Sequence, residues 1–420
     1  MSCGRRDLLL TTLVAGGATV SCPANAVIGR ESDWPLWPAL PVAPYARRKT
    51  VRQQVAPKVW IFDQLIGIYY VHVPIRMTVI ALDSGGMFVY APVAPTTECL
   101  SLLQPLIDEY GPIKTIILPS VAVEHKVLAG PFARRFPDAD LFVVSKQYAF
   151  PLNLPDRTLG LPSWTKRLPM SSHGMWGSEM EHEVLDVKPG PGSEYQDAAF
   201  FHRPSQTLLV CDAIIAVNDE PPAILTADPE YTRALLFHAR DDPLELVPDT
   251  PENRRKGWRR IVLLFNFFFP GAAVGDLGLG PLLKLRPYDL GWAGWKPFEW
   301  KDEASERRSF DAYKAGGRPT VFPIVQIILS RGDSGRETKA WLEKVTQWKF
   351  VRVIPQHLDA PLKAGPRELR EAFAFLYSGR NEVRFCDEDV AFLRLAEDSF
   401  LGFSVFPSRL GTLRGRICGL

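Results

Sequence analysis

The chain has 420 residues, 46% of them apolar and 23% charged, a composition that can bury a sizeable core and excludes intrinsic disorder. Its 49 basic and 47 acidic side chains leave a net charge of +2, which excludes a dedicated nucleic-acid binder, whose domain would be strongly basic. No apolar stretch reaches the roughly 18 residues of a membrane-spanning helix, and 37 prolines, above the usual proportion of about 5%, exclude long helical bundles and coiled coils.

In chain order, Arg5 and Arg6 precede an uncharged run from Leu8 to Val20, and Ala24-Asn25-Ala26 offers the small-x-small pattern that a signal peptidase needs. Residues 1–26 therefore read as an export signal of the twin-arginine kind; Gly16 and Gly17 count against a buried helix there. Residues 27–54 hold Trp34, Trp37, Pro35, Pro38, Pro41 and Pro44, then Arg47, Arg48, Lys49 and Arg52, and read as an extended surface arm. Outside the signal, Cys99, Cys211, Cys386 and Cys418 show no C-x-x-C spacing. They are no disulfide framework, although an oxidising destination would allow one bridge.

Strand signals begin at Val59–Phe62. Met77–Leu82 and Met87–Tyr90 flank Ser84-Gly85-Gly86, a hairpin signature. Thr96 or Thr97 can cap a helix that carries Leu100, Leu102, Leu103 and Leu106 and stops at Gly111. Ile113–Leu118 reads as a buried strand, Gly130–Phe136 as a short helix and Asp140–Val144 as a strand; Ala198–His202 and Thr207–Cys211 form a second pair. From about 241 to 318 the pattern becomes irregular, with Trp258, Trp292, Trp295 and Trp300 among several glycines, and reads as an insertion. Within it, Arg254, Arg255, Lys256, Arg259 and Arg260 precede the apolar run Ile261–Phe269. That order suits either a peripheral membrane contact or a buried helix with a solvated basic start. A helix over Glu337–Trp348, a strand over Phe350–Ile354, a helix over Arg367–Leu376 and a last helix after Asp387 follow. Paired strands followed by strand–helix alternation imply α/β layers, with a domain over 55–400 and a tail over 401–420.

Two motifs are decoys. Gly332-Asp333-Ser334-Gly335 resembles a serine-protease nucleophile segment, but no histidine has the matching context, and Arg331 and Arg336 make it a charged turn. The Gly275–Gly280 cluster lacks the strand–Gly-x-Gly-x-x-Gly–helix order of a dinucleotide site.

The chemistry gathers at three strand ends. Ile116-Ile117-Leu118-Pro119 leads into Ser120-Val121-Ala122-Val123-Glu124-His125; Leu208-Leu209-Val210-Cys211 ends in Asp212; Val351-Arg352-Val353-Ile354-Pro355 leads to Gln356-His357. Functional residues of α/β sheets collect at the carboxyl ends of strands, and two imidazoles with two carboxylates suit zinc, iron or manganese. Any one of these residues alone would equally suit a loop cap.

These stretches, with Trp60–Gln64, Val73-Pro74-Ile75-Arg76, Tyr90-Ala91-Pro92-Val93, Gly130-Pro131-Phe132-Ala133, Phe150–Pro155, Phe200-Phe201-His202 and Trp348–Pro361, resemble the plant, algal and cyanobacterial domain of unknown function 4336 family, of the metallo-β-lactamase-like superfamily. The resemblance implies a four-layer αβ/βα sandwich with metals at its sheet edge and a first motif His-x-His-x-Asp-His. Here Ser120 and Ala122 stand where that motif has its first two histidines, and Pro189 is the nearest equivalent of the third. The resemblance thus implies a degenerate centre: a lost first site, and a second one kept in Glu124, His125, Asp212 and His357, with Ser120, Ala122 and Pro189 lining the vacated space. It implies a mononuclear metallohydrolase of an ester, thioester or phosphodiester, with Glu124 or Asp212 handling the water proton and one divalent metal as cofactor. The alternative is a non-catalytic sandwich that binds a small molecule or a protein partner, or serves as an assembly factor of a photosynthetic membrane. With the export signal, it implies a chloroplast protein of the thylakoid lumen, or in a bacterial host a periplasmic one.

Overall fold

The computed structural model of the protein describes residues 48–67, 70–147, 155–190, 193–242, 245–275, 298–314, 317–377 and 385–401. The export signal, the arm up to residue 47, most of the glycine cluster, Trp292, Trp295 and the tail from 402 lie outside them. The first sheet runs in chain order: β1 Val51–Ala56, β2 Val59–Ile66, β3 Val73–Ala81, β4 Met87–Tyr90, β5 Ile113–Leu118, β6 Asp140–Val143 and β7 Lys166–Arg167. β1 to β4 pair antiparallel and β4 to β7 parallel. The second sheet contains β8 Met180–Gly190, β9 Ser193–His202 and β10 Thr207–Leu209. A short pair follows, β11 Ala273–Gly275 with β12 Phe298–Trp300, and β13 Arg352–Ile354 lies parallel to β10 in the second sheet, whose order is β13-β10-β9-β8.

The helices are α1 Thr97–Tyr110, α2 Val123–Arg135, α3 Pro229–Ala239, α4 Pro251–Phe267, α5 Glu303–Lys314, α6 Pro323–Ser330, α7 Ser334–Val345, α8 Pro366–Ala372 and α9 Asp387–Leu401. One core fills the space between the sheets, with Val59, Ile61, Phe88, Tyr90 and Ile117 facing Val184, Ala198, Phe200, Leu209 and Ile354. The other faces of both sheets are covered by helices: Leu103 and Leu106 of α1 share a cluster with Val89 and Ile116, and Trp341 and Leu342 of α7 join Leu185 and Phe201. Helix, sheet, sheet, helix is the αβ/βα sandwich. Every residue of β3 is buried, as a strand covered on both faces requires.

Local chemistry sets several boundaries. The Thr96 side chain accepts from the Cys99 amide and starts α1, and Gly111, at φ 93°, ends it. Gly257 lets α4 cross α3, since a Cβ there would lie 1.9 Å from the Leu235 carbonyl oxygen.

The structure departs from the sequence reading in four places. The sheet begins at Val51, inside the expected arm, and Arg48 and Thr50 are buried rather than on the surface; Gln64 donates to the Thr50 hydroxyl, and the Thr50 amide donates to Glu98. The short helix expected at Gly130 begins at Val123, which puts Glu124 and His125 on its first turn. The insertion is regular where described: α4 has 17 residues and joins the main core through Ile261, Val262, Leu263 and Phe267. Its basic start is not solvated throughout, because Arg259 and Arg260 are buried, held by the charge of Glu306 on α5. The decoy serine, Ser334, is buried at the start of α7. No helix among the described residues is long and apolar enough to cross a membrane. Cys99 and Cys211 are buried free thiols.

Candidate metal centre

The three strand ends meet because β10 and β13 run parallel in the second sheet and the residues after β5 of the first sheet are tied to that sheet at the same edge. Ser120 bridges to Asp197 of β9, the Ala198 amide donates to the Pro119 carbonyl at 2.9 Å, and Tyr90 Oη donates to the Ala198 carbonyl at 2.8 Å. Glu124 and His125 enter on the first turn of α2, Asp212 follows β10, and His357 follows β13. Each of the four offers a ligand atom, and these atoms all lie within 4.8 Å of one another. His125, His357 and Asp212 are buried, while Glu124 is half-exposed.

The inner three are closer still. His125 Nε2 and His357 Nε2 are 3.1 Å apart, and Asp212 Oδ1 is 3.6 Å from the first and 3.3 Å from the second. Donors bound at about 2.0–2.1 Å around a tetrahedral ion are separated by roughly 3.3–3.4 Å. The three separations cluster around that value, so the residues fit a divalent ion. A proton on one ring would join the two nitrogens; an ion would satisfy both rings and the carboxylate. The Pro74 carbonyl accepts from His357 Nδ1 at 3.0 Å, which fixes the tautomer that leaves Nε2 free to ligate. His125 Nδ1 is buried without a hydrogen-bond partner. Arg76 holds the loop of His357, donating to the carbonyls of Pro355 at 2.7 Å and Leu358 at 3.0 Å while paired with Asp63.

The electrostatics follow from burial. Burial alone would push the Asp212 carboxyl up, but hydrogen bonds and charge from His125 and His357 hold it below the usual carboxylate range. Burial alone would push His357 down, and the Asp212 contact outweighs it, so His357 is raised. Asp197 is pushed up to about 7, first by burial and then by the charge of Asp212.

Asp197 is a residue that the sequence reading missed. Its Oδ2 accepts from the amides of Asp212 at 2.7 Å and Ala213 at 2.8 Å, and its Oδ1 from Cys211 at 3.2 Å, so it shapes the turn that presents Asp212. The available signal was a lone carboxylate in the otherwise apolar half of a strand, before Ala198-Ala199-Phe200-Phe201. Ser120 reaches Asp212, donating to Oδ2 at 2.7 Å, and Ala122 is the residue before α2. Pro189 does not join them: Leu185 is the residue of β8 opposite Asp197, and four more residues carry Pro189 roughly 13 Å along the strand. Neither His182 nor His202 takes over the place. His182 stacks on Phe200 and bonds to Trp176 and Pro169, and His202 pairs with Thr207 at the opposite end of β10. Within the expected insertion, Phe265 of α4 lies with its ring centroid 6.2 Å from that of His357.

Two facing sheets between helical layers, with a cluster of histidines and carboxylates at their common edge, define an αβ/βα sandwich with a candidate metal centre. The chain belongs to the family described as domain of unknown function DUF4336, whose model matches residues 56–375. No curated protein matches it. It is similar in fold to the metal-soaked Flv1 flavodiiron core of Synechocystis, at 13% identity over 78% of this chain and 61% of that one, with a TM-score of 0.39. It therefore spans less than two thirds of that core. It is similar also to the metallo-β-lactamase DIM-1, at 8% identity over 77% of this chain and 96% of that one, with a TM-score of 0.40. A third likeness is to a metallo-β-lactamase from Pontibacter korlensis, at 12% identity over 44% and 83%, with a TM-score of 0.32.

Proposed function

We propose that this chain is a hydrolase that uses one divalent metal ion held by His125, His357, Asp212 and Glu124. The observation that carries this reading is the set of separations among His125 Nε2, His357 Nε2 and Asp212 Oδ1, 3.1 to 3.6 Å, which suits a shared ion. Two imidazoles with two carboxylates suit zinc, iron or manganese. When bound, such an ion acts as a Lewis acid and makes water a nucleophile near neutral pH. The chain supplies the rest. Pro74 and Arg76 fix the ring and loop of His357. Asp197 and Ser120 fix the carboxylate of Asp212. Glu124, half-exposed on the first turn of α2, is the group placed to take the proton of an attacking water. The bond to be cleaved is that of an ester, thioester or phosphodiester.

A second reading has its own support. His125, Asp212 and His357 are only 0%, 8% and 1% exposed, which would suit a sandwich that binds metal or a small molecule without turnover. The test is hydrolysis of p-nitrophenyl acetate, a thioester analogue and bis-p-nitrophenyl phosphate by protein loaded with zinc, iron or manganese, beside Glu124→Gln. Turnover that needs metal and falls at least about 100-fold in the variant, the usual scale of acid–base catalysis, supports the hydrolase. Metal binding with no turnover of any of the three supports the second reading. The leader-like residues 1–26 support an exported destination, the thylakoid lumen or a periplasm, which fractionation of a tagged full-length chain would test.

A further inference from the structure

We propose that Ser120 restricts this centre to a single metal ion. The inference rests on the metal-binding reading above and concerns what the other side of Asp212 is doing. The two carboxylate oxygens have different surroundings. Oδ1 faces both imidazole nitrogens, at 3.6 and 3.3 Å. Oδ2 accepts the Ser120 hydroxyl at 2.7 Å, and Ser120 is fully buried. The same hydroxyl oxygen accepts from the Ala122 amide at 3.1 Å, so its one proton is directed at Asp212. A hydroxyl carries one donor, and this geometry uses it.

A carboxylate that bridges two cations through its two oxygens must offer each of them a free lone pair. Here the oxygen turned away from the imidazoles already gives one lone pair to the Ser120 hydroxyl at 2.7 Å, and that buried hydroxyl crowds its remaining side. The neighbouring position, Ala122, offers no ligand atom. Asp197 holds the amides of Cys211, Asp212 and Ala213 together and so fixes the turn that carries the carboxylate. Ser120 is thus a positioning residue. It keeps Oδ1 aimed at the ion and occupies the oxygen that a second ion would need.

The experiment is a titration of the full-length, chelator-stripped protein with Co²⁺ alone, followed by its visible d–d absorption, which reports coordination and stoichiometry without any turnover. Wild type and Ser120→Thr are expected to saturate at one equivalent with similar affinity. Ser120→Ala loses the second hydrogen bond to the ligand and is expected to bind roughly 10–100-fold more weakly. Ser120→His replaces the hydroxyl by an imidazole and is expected to take up a second equivalent. Two equivalents in wild type, wild-type affinity in Ser120→Ala, or a folded Ser120→His that stops at one equivalent would each overturn the inference. Should Ser120→His fail to fold, the wild-type stoichiometry decides the count, and the contrast between alanine and threonine decides the positioning role. Wild type that binds no Co²⁺ at all would remove the metal reading itself, a result distinct from a wrong count.

Discussion

The protein contains two buried charged clusters that look alike by composition and differ in what they leave unsatisfied. Around Arg260 on α4, every guanidinium N–H has an acceptor: Nε and Nη2 donate to Glu306 at 2.9 and 2.5 Å, Nη2 also to Asp241 at 2.6 Å, and Nη1 to the carbonyls of His238 and Arg240 at 3.0 and 2.8 Å. Arg260 is thus fully satisfied, while its neighbour Arg259 meets Glu306 only at 3.5 Å, as an ion pair without a hydrogen bond. Around Asp212 the groups that converge on one point are two imidazole nitrogens and a carboxylate oxygen. Pro74 fixes the tautomer of His357, whose Nε2 lone pair faces the Asp212 oxygen, and a proton on His125 Nε2 could join one of these two acceptors but not both. The first cluster explains why α4 and α5 stay together. The second would be completed by a cation, as proposed above. Buried charge does not by itself make a site; an excess of acceptors around a shared point does.

The largest expected effect tests the first cluster. Glu306→Leu would leave Arg259 and Arg260 as buried neighbours without their shared carboxylate, and denaturant unfolding should show a loss of about 3–5 kcal/mol. The double variant Arg260→Met, Glu306→Leu should recover much of it. Equal losses in the single and double variants would mean that packing, not charge, is what the cluster supplies. For the second cluster, metal should raise stability in wild type by about 2.7 kcal/mol when present at 100 times its dissociation constant, and by nothing measurable in His357→Ala. Thermal unfolding with and without zinc checks this; a gain that survives in His357→Ala would place the ion elsewhere.

How much of this was legible beforehand differs between the clusters. Glu124, His125, Asp212 and His357 could be named from sequence because each follows a short apolar strand; that the strands belong to two sheets, β5 to the first and β10 and β13 to the second, was not legible. The hairpin at Gly85-Gly86 and the helix from Thr96 to Gly111 were legible for local reasons, a turn and two caps. Asp197 was not, because its partners are backbone amides fourteen or more residues away, and nothing in its neighbours announces them. Arg260 was read as solvated because its partner, Glu306, is 46 positions further on. Pro189 was assigned to the site from its local pattern, which cannot tell how far along a long strand a residue will sit.

A third prediction concerns pH. His182 is pulled down to about 4, above all by burial, with His173 adding to it and the Pro169 carbonyl opposing. Its Nδ1 accepts from Trp176 Nε1 at 2.6 Å, a bond that only the neutral ring can make. A histidine with a depressed folded pKa contributes stability that is present above its unfolded value of about 6.5 and is lost as pH falls towards 4. Stability should therefore decline over that window by on the order of 2–3 kcal/mol for this group. Urea midpoints should fall less steeply with pH in His182→Gln, with His72 and His202, also pulled down to about 4 by burial, keeping part of the slope, and an unchanged slope would contradict the assignment. The smallest effect expected is that of Thr96→Ala, about 1 kcal/mol for loss of a helix cap. It should leave metal affinity unchanged, and so provides a control for variants that merely loosen the fold.

The most direct test is the metal content of full-length protein purified without chelator and without an immobilised-nickel step. Elemental analysis should find about one zinc, iron or manganese per chain in wild type and in Thr96→Ala, and close to none in His125→Ala and His357→Ala. Wild type without a stoichiometric metal, or histidine variants that retain it, would contradict the reading of these four residues as a metal centre.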